Sequence, residues 1–348
     1  MEDRMQITIR RPCDFHIHLR KEKILRDLIN LYNDFQYVVA MGNLNPPIAT
    51  MVAIGEYWEE IIIQDPKFTP IMSLMLTSNT SPQIILTAHK ARLKVLKMIP
   101  GNTSTGSDDG IRLQDLSDYY SVLEVAEKSG MIFSGHWELA ENPKTGKEIR
   151  MLDREKCAIP FLEETIKRFP KLRIIVEHVS TKEMAQLIKS APANVAGTLT
   201  AHHALITYND VFDCKGAVTN PDWFCKPCAK TDSDRDAILE AMVSGNPKFF
   251  FGSDSAPHPR LNKRGKNPAA GIFTPGIISL PLLCQIFNDC KVLSRLDNFV
   301  SNFGRTYYGL PQTEETITLE KKEWIVPAEI CGIVPFMAGR KLDYMIAR

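Results

Sequence analysis

Eight apolar, β-branched runs alternate with helical patterns along this chain, and few folds accommodate that rhythm. The runs are Gln6 to Arg10, Gln36 to Met41, Phe68 to Leu76, Leu93 to Met98, Met131 to Ser134, Leu172 to Glu177, Val195 to Leu199 and Phe249 to Gly252. Strand–helix alternation favours a parallel sheet covered by helices. Eight repeats favour closure into an α/β architecture, the (β/α)8 TIM barrel. One helix is expected to open at Ser233-Asp234-Arg235-Asp236 with an N-cap and an acidic first turn. Ile238, Leu239, Met242 and Val243 follow at helical spacing, and Gly245 stops it. A second is expected from Ser117 to Ser129, with Tyr120, Leu123 and Ala126 inward and Gly130 at its end. The polar stretches from Gly101 to Gly110 and from Pro257 to Pro275 read as loops after the fourth and eighth strands. A length of 348 residues suits one barrel domain over 1–312. The remaining segment, 313–348, reads as a C-terminal extension packed on the barrel, because it carries Trp324, Ile325, Val326 and Phe336.

Composition narrows the class of function. The 42 basic and 41 acidic side chains leave a net charge of +1, so no basic field points to nucleic acid or to a membrane surface. No apolar run reaches the roughly 18 residues needed to span a bilayer. Met1-Glu2-Asp3-Arg4 lacks the apolar core of a signal peptide, and a cytoplasmic protein is expected. The eight cysteines are scattered, as free thiols are in a long cytosolic chain. Cys225-Lys226-Pro227-Cys228 has CxxC spacing, but no second such pair accompanies it. Two thiols in a loop are favoured there over a redox or zinc motif.

The chemistry begins at His16-Ile17-His18. In a strand, residues i and i+2 project from one face, so both imidazoles could reach one metal ion. Alone the pair is a weak signal. It gains force because Lys97, His136, His178 and Asp254 each stand at or just beyond the end of an apolar run. In a parallel barrel the C-terminal strand ends converge on one mouth. Nitrogen and oxygen donors suit a catalytic zinc. Six protein ligands are too many for one such ion, but they fit two ions about 3.5–4 Å apart with a shared bridge. Lys97 is the odd member, since an ammonium cannot bind a cation. Desolvation at the end of an apolar run favours its neutral amine. That amine can add carbon dioxide, giving an anionic carbamate with an oxygen for each metal. Two zinc ions, balanced by the carbamate, Asp254 and a bridging hydroxide, leave a net cationic site, which would attract an anionic substrate.

Arg20, two residues after His18, projects on the same face, and a guanidinium pairs bidentately with a carboxylate. Taken alone it suits a structural ion pair equally well. Asn43 alone suits a cap on the turn before Pro46-Pro47, and His258 alone suits a solvent-exposed loop position. His89, on a helix candidate, reads as solvated, and His202 and His203 read as structural.

Six segments in this order resemble the amidohydrolase superfamily, and within it dihydroorotases of the short, stand-alone bacterial type. They are Asp14-Phe15-His16-Ile17-His18-Leu19-Arg20, Met41-Gly42-Asn43-Leu44, Leu96-Lys97-Met98-Ile99-Pro100, Gly135-His136-Trp137-Glu138, Val176-Glu177-His178-Val179-Ser180-Thr181-Lys182 and Gly252-Ser253-Asp254-Ser255-Ala256-Pro257-His258. The resemblance runs across nearly the whole chain. It implies a binuclear zinc barrel, commonly a dimer, that interconverts N-carbamoyl-L-aspartate and L-dihydroorotate. By its pattern His16, His18, Lys97 and Asp254 hold the more buried metal, and Lys97, His136 and His178 hold the other. Zinc lowers the pKa of a bridging water toward neutrality. The resulting hydroxide attacks the ring amide, with Asp254 as general base and then general acid.

The same resemblance assigns the substrate carboxylate to Arg20, Asn43 and His258. It also places a pair of hydroxyls, Ser104 and Thr105, on a loop that closes over the mouth. Backbone contacts to substrate fall at Lys226 and Ala270. Three positions depart from the pattern: Ser104 stands for a threonine, Lys226 for an apolar residue, and Trp137 is bulkier than expected. The nearest alternative is another cyclic amidase of the superfamily, acting on hydantoins, dihydropyrimidines or allantoin. Arg20 and Asn43 discriminate, because those neutral rings lack a carboxylate.

Overall fold

The computed structural model describes residues 6–66, 68–101, 103–104 and 106–348. Eight parallel strands follow one another around a barrel: β2 (Cys13–Ile17), β3 (Tyr37–Ala40), β4 (Pro70–Met75), β5 (Val95–Met98), β6 (Ile132–Gly135), β7 (Arg173–Val176), β8 (Val195–Leu199) and β9 (Phe249–Phe251). Helices connect them on the outside, as the alternation in the sequence requires. The seam closes through loop backbone beyond β9: the Asp254 amide donates to His16 O at 2.9 Å and the His18 amide to Ser255 O at 3.0 Å. The last contacts that close the barrel are therefore made by residues singled out as ligands.

Side-chain parity builds the interior. Val95, Ile132, Ile175, Ala196 and Phe250 point inward and pack with Phe15 and Tyr308 as an apolar floor. Two residues farther along the same strands, on the same face, come Lys97, Ser134, Glu177, Thr198 and Gly252. The register holds them level: Lys97 lies opposite Ser134, and Ile175 opposite Ala196. Gly252 is required where it stands, since a Cβ there would meet His16 Cβ and Thr198 Cβ at 2.9 Å each.

The first expected barrel strand is the one the structure corrects. Gln6–Arg10 (β1) pairs antiparallel with Thr316–Ile325 (β10), which pairs with Lys341–Ile346 (β11), in a separate three-stranded sheet. Only Ile9 of β1 is buried, whereas all five residues of β2 are. The alternating Gln-Ile-Thr-Ile-Arg pattern marks a strand with one solvated face; a strand inside a parallel barrel is covered on both. Hence His16 lies within its barrel strand, not after one. Within the C-terminal segment Val326 and Phe336 are fully buried, while Ile325 is 60 % exposed.

Both expected helices form with shifted starts. Asp232–Val243 is capped by Thr231, whose side chain accepts from the Asp234 amide while Asp234 accepts from the Thr231 amide. Gly245 follows its end at φ +77°. Tyr120–Lys128 is preceded by a 3-10 turn over Leu113–Tyr119, and Gly130 again takes a positive φ.

Candidate active site

One pocket at the barrel mouth is lined by His16, His18, Lys97, His136, His178 and Asp254 together. Arg20, Asn43, Ser104, Lys226 and Ala270 share its walls. Thr105 lies outside the described residues. His258 is buried beside the pocket, with Nε2 2.9 Å from Arg20 Nη2 and 3.1 Å from Ala270 O. Since arginine can only donate, Nε2 accepts there. Burial, with Arg20 and Lys263 nearby, pushes the His258 pKa down to about 2 and keeps the ring neutral.

Local geometry aims the donors. His16 Nε2 and His18 Nε2 lie 3.3 and 3.0 Å from the same oxygen, Asp254 Oδ1. His136 Nδ1 and His178 Nε2 face each other at 3.1 Å. Two imidazole nitrogens so close suit a shared cation at Zn–N distances of about 2.0–2.1 Å. Three site residues hold left-handed backbone, Arg20 at φ 62°, His178 at 40° and Asp254 at 47°. Strain of that kind persists where the surroundings force it, and here it turns side chains that follow a strand back over the mouth. Trp137 fits because Gly135 lacks a side chain: a Cβ there would meet the indole at 2.4 Å.

Electrostatics follow from burial. The Lys97 ammonium is fully buried with no hydrogen-bond partner among the described residues. Desolvation lowers its pKa to about 8, against the raising influence of Glu177 and Asp254. Burial raises the Asp254 carboxyl above the usual carboxylate range and drives His18 and His178 well below the usual imidazole range. Orphaned nitrogen at Lys97 Nζ, His18 Nδ1 and His178 Nδ1, beside convergent imidazoles and one carboxylate, is a donor set that fits divalent metal with a modified lysine.

No protein-family model matches the chain. It is 35% identical over 354 residues to a dihydroorotase of Teredinibacter turnerae, covering 98% of this chain and 99% of that one. It is 36% identical over 345 residues to a probable dihydroorotase of Schizosaccharomyces pombe, covering 98% of each. The chain belongs to the dihydroorotase family. The crystal structure of Saccharomyces cerevisiae dihydroorotase in complex with 5-fluoroorotic acid superposes with a TM-score of 0.92 at 31% identity, over 98% of each chain.

Sequence reasoning passed over the residues that support this dihydroorotase-family pocket from below. Glu177, wholly buried, accepts from His16 Nδ1 at 2.7 Å, Ser134 Oγ at 2.5 Å and Thr198 Oγ1 at 2.6 Å. Its bond to Nδ1 leaves the Nε2 lone pair of His16 facing the cavity. Glu138 does the same for His136, accepting from Nε2 at 2.8 Å and freeing Nδ1. Asp14 Oδ1 accepts from the amides of His16 at 3.1 Å and Ser253 at 2.8 Å and fastens the seam. The available signal was a carboxylate closing an apolar run, at Glu177, or two residues from a histidine, at Asp14 and Glu138.

His89 is exposed. His203 is held between Thr200 Oγ1 at 2.9 Å and Pro227 O at 3.0 Å, and His202 is buried beside it. All eight cysteines are free, and the Cys225 thiol turns to Pro227 O.

Proposed function

We propose that the chain interconverts N-carbamoyl-L-aspartate and L-dihydroorotate in a pocket that holds two zinc ions bridged by a carbamate on Lys97. The observation that carries the reading is Lys97 itself. A buried, unpartnered ammonium among imidazoles is unfavourable. Conversion to a carbamate turns it into an anion between cations. His16, His18, Lys97 and Asp254 would hold one ion; Lys97, His136 and His178 would hold the other. When bound, the ions supply the Lewis acidity that ionises water near neutral pH and polarises the amide carbonyl.

The chain's own residues do the rest. Asp254, a carboxylate whose pKa burial raises, takes the water proton and returns it to the departing ring nitrogen. Arg20 is half-buried and bonded to Pro257 O at 3.0 Å and to His258, with no carboxylate partner among the described residues. A substrate carboxylate would complete it. Asn43 and His258 would share in holding that carboxylate, and the Ala270 and Lys226 backbones would add further contacts to the substrate. Ser104 and Thr105 would close over the bound substrate. No described helix is long and apolar enough to cross a membrane. A homodimer is the assembly that the family resemblance favours.

The test is turnover of dihydroorotate, hydantoin and dihydrouracil by the purified protein, with metal content measured on the same sample. Preference for dihydroorotate with two zinc equivalents supports the reading. Preference for a neutral ring, or activity without metal, overturns it.

A further inference from the structure

Lys263 stands in an exposed turn, yet its side chain points inward. The 3-10 turn Arg260–Lys263 interrupts the loop after β9, where Leu261 is 86 % exposed and Lys263 only 4 %. Lys263 Nζ donates to Phe224 O at 3.0 Å, Ala269 O at 3.0 Å and Gly271 O at 2.5 Å. An ammonium has three N–H donors, and here all three are spent on main-chain carbonyls. Among the described residues no carboxylate pairs with it. Removing an ammonium from water is costly, so a cage of peptide dipoles around it marks a designed contact.

The acceptors come from two different loops. Phe224 belongs to the connection between β8 and β9, and Ala269 and Gly271 to the loop beyond β9. The Gly271 amide adds a bond to Phe224 O at 2.9 Å. Ala270 lies between two of the acceptors, and Lys226 lies two residues beyond the third. Both line the pocket with Arg20, whereas Lys263 itself does not. The Ala270 carbonyl in turn abuts His258, which holds Arg20.

We propose that Lys263 is a positioning residue: its ammonium clamps the Phe224–Lys226 and Ala269–Gly271 segments together, so that their main-chain groups form a fixed wall of the substrate pocket. The inference rests on reading this pocket as the substrate site. A fixed main-chain wall binds ground state and transition state alike, so loss of the clamp raises KM and spares kcat.

The test compares wild type with Lys263→Met and Lys263→Arg as full-length, zinc-loaded protein. Lys263→Met should raise KM for dihydroorotate about tenfold with kcat nearly unchanged and zinc content equal to wild type. Amide hydrogen exchange across 224–226 and 269–271 should quicken. Lys263→Arg keeps the charge but fits the three-carbonyl cage poorly, and its KM should fall between the two. A Lys263→Met protein with wild-type KM and wild-type exchange overturns the clamp, as does one whose kcat alone collapses. If Lys263→Met does not fold, Lys263→Gln is measured in its place; if neither folds, the lysine holds the fold, not the pocket, and the inference is overturned. The exchange measurement needs no substrate. Wild type that leaves dihydroorotate untouched would therefore defeat the functional reading while the clamp is still tested.

Discussion

Two buried carboxylates, one lining this pocket and one beneath it, have opposite surroundings and opposite tasks. Burial pushes Glu177 up, but the hydrogen bonds from His16 and Ser134 and the positive charge of the pocket outweigh it and hold the group below the usual carboxylate range. It stays ionised and orients. Asp254 is raised, as suits a group that must carry a proton for part of the cycle. Asp254→Asn should keep zinc and lose about 10²–10⁴-fold in kcat, read from steady-state kinetics alongside metal analysis. Glu177→Gln puts an amide against His16 and should weaken zinc binding by about 10–100-fold, measured by competition with a chromogenic chelator. Lys97→Ala should lose the metal pair and recover part of it, with part of the activity, when formate or acetate is added; full activity without added acid would exclude the bridge.

Among the elements, helix starts show how local chemistry is settled by neighbours. Ser233 is the cap expected from the sequence for the helix that ends at Val243. Thr231 is used, because its partner Asp234 then reaches two helices at once: Oδ2 accepts from the Thr231 amide, and Oδ1 from the Lys182 amide at 3.0 Å. The helix Lys182–Ser190 directly follows the strand end that carries His178, so this shared cap braces the site. Thr231→Ala should cost about 1 kcal/mol in urea unfolding, and Ser233→Ala close to nothing. Strand ends were more legible than helix starts. Lys97 could be placed at the desolvated end of an apolar run, whereas β1 was misplaced because a half-exposed strand and a barrel strand share β-branched composition. What distinguishes them is coverage on the second face, which only the packed molecule supplies.

For the molecule as a whole, the three-stranded sheet ties the two ends of the chain together. β1 binds β10, and β11 packs on the apolar helix Gly276–Asp289, with the Asp343 amide donating to Gln285 Oε1 at 3.2 Å. Leu319, Val326, Phe336, Leu342, Tyr344 and Ile346 are all buried in this segment. Each such side chain contributes about 1.5–3 kcal/mol, and together they rival the about 5–15 kcal/mol by which a whole domain is stable. A chain cut after residue 312 should therefore fail to give soluble, folded barrel, as judged by circular dichroism and sedimentation. A folded, zinc-binding truncated protein would show that the sheet is dispensable.

The sequence by itself determined the strand–helix alternation, the common face of His16 and His18 and the kinds of donor atom, because period-two projection and the ends of apolar runs are local properties. His16, His18, Lys97, His136, His178 and Asp254 could be named for that reason. Tertiary structure alone decided which nitrogen of each imidazole faces the cavity, which carboxylates fix it, and which lysine reaches across two loops. Those choices depend on partners far apart along the chain, Glu177 for His16 and Phe224 for Lys263, and no spacing rule joins such residues until the barrel closes.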